Sequence, residues 1–157
     1  MNTTPKLQGG VVLLEALVAI LIFSIGILAI VGLQGAAVKT AADARYRSDA
    51  AFLANELMSQ IWADAPNVAQ YAYTGSGAPP ARLMDYPQHK GWVTRVGERL
   101  PGTQDGTGVP PIVAYSTDPT LGAIVEITVR WRMPEEASKG LPAHTHRMRA
   151  NINLNPP

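Results

Sequence analysis

Hydrophobic and polar positions divide this chain into three stretches. From Val11 to Leu33 the only ionisable side chain is Glu15, and no further charge appears until Lys39. A run of ~20 apolar residues is what a helix needs to cross a bilayer core. Beyond it the pattern becomes periodic. Val38, Ala42, Tyr46, Ala50, Leu53, Leu57 and Ile61 recur every three or four residues, while Arg45, Arg47, Asp49 and Glu56 fall off that line. This is the stripe of an amphipathic helix. No proline interrupts before Pro66, so one helix is predicted over residues 11 to 64. At ~1.5 Å per residue it would run ~80 Å. Gly26, Gly32 and Gly35 lie inside it. Each weakens a helix by up to ~1 kcal/mol relative to Ala, and marks a place for a bend, local melting or the close approach of another helix.

The third stretch alternates. In AIVEITVRWRM, residues 123 to 133, Val125, Ile127, Val129, Trp131 and Met133 share one face, and Glu126, Thr128, Arg130 and Arg132 share the other. In HTHRMRANINL, residues 144 to 154, His146, Met148, Ala150, Ile152 and Leu154 oppose Arg147, Arg149, Asn151 and Asn153. Both read as half-buried strands. PEEASKGLPA, residues 134 to 143, joins them as a hairpin. A loop-centred hairpin pairs Val129 with Met148, Ile127 with Ala150, Val125 with Ile152, Trp131 with His146 and Arg130 with Arg147. Ile112 to Ser116 is a third strand for an edge. Between helix and strands, residues 65 to 91 are loop-like. The spacing of Trp92, Val96 and Leu100 predicts a short helix stopped by Pro101-Gly102, with a strand over Trp92 to Val96 as the competing assignment. TQDGTGVPP, residues 103 to 111, is a turn region. The fold class is therefore α+β, a long N-terminal helix with a small C-terminal antiparallel sheet.

Composition narrows the setting. The chain has 157 residues, enough for one ordinary domain, and residues 65 to 157 supply only a thin core that benefits from packing on something else. The net charge of +1 points to no nucleic-acid or acidic partner. The absence of cysteine excludes disulfides, Cys-ligated zinc and thiol chemistry. The leading MNTTPKLQGG contributes the terminal amine and Lys6 as positive charges. That flank keeps the N-terminal side in the cytoplasm and sends the rest across. The expectation is a single-pass inner-membrane protein with its C-terminal part in the periplasm. A cleaved secretory signal is the alternative, but the apolar run is longer than such an h-region and no clean Ala-x-Ala site follows it closely.

Few side chains suggest chemistry. His144 and His146 have the spacing to share a metal, but no third ligand is near apart from Glu135 and Glu136, and the favoured reading is an edge of the packed face, with no metal expected. Arg130, Arg132, Arg147 and Arg149 form a basic patch on the outer strand face. It is a solvated face, or it meets an acidic neighbour or DNA phosphates. Tyr71, Tyr73, Trp62 and Trp92 read as core or interface aromatics. No phosphate loop, Ser/His/Asp arrangement or carboxylate pair gives an enzyme reading support, and no cofactor is expected.

Gly10-Val11 followed by Leu14-Glu15-Ala16-Leu17-Val18-Ala19-Ile20 resembles the class III signal of type IV pilins and type II secretion pseudopilins. SIGILAIVGLQ, AFLANELMSQIWAD, the segment from Trp92 to Leu-Pro-Gly and the ITVRW strand are similar to PilV-like minor pilins. The resemblance is close over residues 9 to 64 and patchy beyond. It implies the type IV pilin fold: a class III leader over residues 1–10, an assembly helix over 11–34, an amphipathic continuation over 35–64 and a periplasmic head over 65–157. It also implies cleavage by prepilin peptidase between Gly10 and Val11, N-methylation of Val11, and an assembly role for Glu15. Implied partners are other minor pilins, the major pilin and the inner-membrane assembly machinery, and the implied destination is a pilus fibre or the cell surface. The family role is to prime or cap a pilus, with links to motility, adhesion or DNA uptake. Val11 stands where Phe or Met is usual, and Gly32 lies at the depth where major pilins carry a proline. A minor pseudopilin of a type II secretion system shares the whole N-terminal pattern. A signal-anchored periplasmic binding or sensor domain is the alternative of another class, and it predicts an uncleaved N-terminus.

Overall fold

The structure, a computed structural model, describes residues 9–84, 91–103, 108–118 and 122–152. The chain divides into two compact units, Met1–Asp43 and Ala44–Pro157. The leader before Gly9 and the strand positions Asn153 and Leu154 lie outside the described residues.

Helix α1 covers Gly9–Ala63; within the first unit it begins at the Gly-Gly pair and passes through Gly26, Gly32 and Gly35 without leaving the α conformation. A Cβ built on any of these three glycines meets nothing within 4 Å. Residues Val11 to Leu33 present their apolar side chains outward all around, with Phe23 at 69% exposure and Leu28 at 72%. Helices that are apolar all round are at rest only in lipid or inside other protein.

The second unit is built on the C-terminal turns of α1. Ala50, Leu53, Leu57 and Ile61 are fully buried, as the stripe requires. A 3₁₀ turn, Ala65–Tyr71, follows, with Pro66 in its first turn. Helix α2 covers Ala81–Met84 and helix α3 covers Trp92–Arg99, so the helical reading of Trp92 to Leu100 holds over the strand. Trp92, Val96 and Leu100 are all buried. The Trp92 indole Nε1–H donates to the Leu53 carbonyl of α1 at 2.9 Å. Arg95 pairs with Glu56, and the Arg99 guanidinium lies 5.4 Å over the Phe52 ring. These contacts bind α3 along one side of α1.

The sheet has three antiparallel strands in the order β1 (Ile112–Asp118), β2 (Gly122–Trp131), β3 (His144–Ile152). Its inner face adds Val113, Ala123, Val125, Ile127, Val129, Trp131 and Ile152 to the same core as the α1 stripe. Pro101-Gly102 ends the α3 region and stitches it to the sheet. The Pro101 carbonyl accepts from the Arg132 N–H at 3.0 Å, and the Gly102 carbonyl accepts from Val109 at 2.7 Å. Gly102 has φ +70°, and a Cβ there would lie 2.7 Å from the Arg132 carbonyl oxygen, so only glycine fits.

The strands and their inner faces match the alternation, but the hairpin register differs by two residues from the loop-centred pairing. Val129 lies opposite His146, Ile127 opposite Met148, Val125 opposite Ala150, Ala123 opposite Ile152 and Trp131 opposite His144. Arg130 therefore faces Thr145 and Arg147 faces Thr128, not each other. A two-residue slip leaves every side chain on its original face, so alternation cannot distinguish the two registers. The loop makes the choice. Pro134–Ser138 winds into a short helix, α4, after Met133, whose N–H donates to the Glu136 carboxylate at 3.1 Å. Glu136 then reaches His144 at 3.0 Å, and His144 stacks on Trp131 with ring centroids 5.4 Å apart.

Two measurements check this arrangement. Leu57→Ala should destabilise the head by ~2–5 kcal/mol, read from a denaturant titration. With no native cysteine to interfere, Thr128→Cys/Arg147→Cys should oxidise to a disulfide readily, and Arg130→Cys/Arg147→Cys should not.

Candidate functional site

The residues expected to carry processing and assembly lie at the start of α1. Gly10, Val11 and Glu15 are all helical and exposed. Val11 and Glu15 are four residues apart, so they sit one turn apart on the same face. An amine created at Val11 would therefore stand beside the Glu15 carboxylate. One helix among the described residues, Gly10–Ala63, is long and apolar enough to cross a membrane by length and composition.

The basic patch separates into two kinds of arginine. Arg130 is half-buried, and its Nε and Nη2 donate to the Pro110 carbonyl at 3.2 and 2.8 Å. It fastens the segment before β1 to the central strand. Arg132 is held by the Pro101 contact of its backbone and is half-buried. Arg147 and Arg149 are exposed on the outer face of β3. Arg149 lies opposite Glu126, the one acid on that face of β2. Of the patch, the Arg130 side chain is thus structural, Arg147 and Arg149 are exposed, and the Arg132 guanidinium has no hydrogen-bond partner at Nε among the described residues.

His144 and His146 share the inner face of β3, and only His144 comes together with Glu136. Among the described residues, no three His, Asp or Glu side chains converge as a metal site would require. Of the aromatics, Tyr71, Tyr73 and Trp92 are core residues, whereas Trp62 is 53% exposed.

A polar cluster at the C-terminal end of α1 escaped sequence reasoning. Asp64 accepts from Asn67 Nδ2 at 2.7 Å, from the Tyr71 hydroxyl at 3.0 Å and from Arg82 Nη1. The Arg82 Nε donates to Gln70 at 3.2 Å. Arg82 comes from a stretch without periodicity, so nothing in the pattern placed it beside Asp64. The α4 helix was missed as well, since residues 134 to 143 read as a hairpin loop, although a proline at the first helical position and a glutamate two residues on are helix-start signals.

No protein-family model, no curated protein and no solved structure matches this chain.

The Asp64 cluster has a definite pH signature. The Asn67 amide first, then the Tyr71 hydroxyl and the Arg82 charge, hold the Asp64 carboxyl below the usual carboxylate range against the opposing effect of burial. Burial, reinforced by the hydrogen bond to Asp64, pushes the Tyr71 hydroxyl up. A lowered acid contributes stability that is present above its unfolded value and is lost as pH falls through its folded value. Stability measured against pH should therefore fall on the acid side, and Asp64→Asn should flatten that limb. An unchanged limb in the variant would assign the acid sensitivity elsewhere.

Proposed function

We propose that the chain is a minor pilin of the PilV-like kind, a structural subunit that primes or caps a type IV pilus with other minor pilins. The observation that carries the reading is Glu15, the one charge in the apolar segment, placed one turn from Val11 and just after Gly10. A carboxylate within a membrane helix costs ~2.5–3.5 kcal/mol on insertion scales, so its presence calls for a compensating role. In the bilayer the site lies near an interface, where the side chain can snorkel toward water. In a filament packed by N-terminal helices the same carboxylate becomes dry. There the amine of a processed Val11, in the same subunit or a neighbour, supplies the opposite charge. Breaking such a pair leaves a buried charge unpaired and is strongly unfavourable, so the pair favours one axial register.

Support comes from the continuity of the helix and the character of the rest of the chain. The apolar segment runs on in the same helix to the turns that anchor a small antiparallel sheet. On this reading prepilin peptidase acts between Gly10 and Val11, and the periplasmic head makes the contacts that select neighbours. The glycines Gly26, Gly32 and Gly35 leave room for other helices to approach within the assembly.

Intact mass of the protein isolated from membranes tests the reading directly. Loss of residues 1 to 10 together with the gain of one methyl group is expected, and a full-length mass would overturn it. Glu15→Leu should still insert and be cleaved yet enter filaments poorly, read as its share of sheared pili against its share in membranes.

A further inference from the structure

The two edges of the sheet are not alike. On the β1 side, Tyr73 bridges to Val113 by two backbone hydrogen bonds, at 2.9 and 2.8 Å, and closes the edge there. On the β3 side, no backbone hydrogen bond is made beyond the ladder to β2 among the described residues. Nine residues, His144–Ile152, thus offer an open row of donors and acceptors. Such a row is a template for another strand.

The side chains on this edge say what kind of strand fits. On the inner face, His146, Met148 and Ala150 are only half-buried, while their partners Val129, Ile127 and Val125 are at most 1% exposed. The core is finished under β2 and unfinished under β3. On the outer face Arg147 and Arg149 stand exposed, with no ion pair among the described residues. We infer that the edge of β3 docks an extended strand from a different protein, with apolar side chains on its inner face and carboxylates on its outer face. Main-chain hydrogen bonds would hold that strand, and Arg147 and Arg149 would select it.

A second copy of this chain is a poor occupant. Pairing β3 with β3 antiparallel about Met148 sets Arg147 against Arg149 of the other copy twice, and like charges directly opposed are unfavourable. The outer face of β1 offers Ile112, Ala114 and Ser116, with no carboxylate before Asp118. The inference does not depend on the pilin reading, because it uses only the head.

The test uses the full-length protein in detergent micelles and three short synthetic peptides. One alternates Val with Glu, one alternates Val with Lys, and one is the acidic peptide with every amide N-methylated. The acidic peptide should slow amide exchange along residues 144 to 152 and lose affinity with added salt. The lysine and N-methylated peptides should bind about tenfold more weakly or not at all. Arg147→Glu with Arg149→Glu should reverse the preference between the acidic and lysine peptides. Equal binding of all three peptides, or no protection along β3, would overturn the inference. So would protection that rises with protein concentration in the absence of peptide, which would make the edge an interface between copies. If the double variant fails to fold, the ranking of the three peptides on the unmodified protein decides the matter.

Discussion

The head depends on covering one face of α1 between Ala50 and Ile61. Those turns cannot stand in water with four fully apolar positions exposed, and every other element of the unit except α4 contributes to the core that hides them. Trp92 does so most directly. Its ring is wholly buried against the helix, and its indole N–H caps a carbonyl of the same helix. A buried indole must find a hydrogen-bond partner, and an α-helical carbonyl can accept a second donor at its free lone pair. Ordering α3 on α1 in turn brings Arg95 to Glu56 and positions the Pro101-Gly102 turn that holds the end of β2.

Much of this architecture was legible along the chain. The stripe from Ala50 to Ile61 and the alternation of β2 and β3 reflect burial, and burial leaves a periodic trace in residue type. The helix at Trp92 was ambiguous by period over so short a length, and the Pro-Gly stop after Leu100 agrees with the helical outcome. The register of the hairpin was not legible, because the face of each side chain is the same in both pairings. It was settled by Glu136, His144 and Trp131, a local arrangement whose only trace is the helix-start spacing after Met133. Pairs between distant segments, such as Glu56 with Arg95 across 39 residues and Asp64 with Arg82 across 18, left no periodic signal.

The charges of the molecule fall into two populations. Several of those in the head that are partly buried have identified partners: Asp64 with Arg82, Glu56 with Arg95, Arg130 with the Pro110 carbonyl. They fix segments that periodicity alone would leave loose. Glu15, Arg147 and Arg149 stand apart from these, exposed and without ion pairs among the described residues. Glu15 belongs to an apolar helix and the arginines to a sheet edge, so the partners each requires differ in kind. The proposed function and the proposed docking edge are two separate demands for outside company.

The stitch between Tyr73 and Val113 has a consequence for growth. A sheet open at both sides can be extended indefinitely, each added strand exposing a fresh margin, and that is the route to fibrils. Here Tyr73 interrupts one margin at Val113 and leaves residues 114 to 118 beyond it, while the other margin runs the length of β3. The two margins are therefore unequal among the described residues. A strand that joined along β3 would find no margin of the same length on the β1 side from which to pass the pairing on, so the proposed docking suits a terminus better than a link.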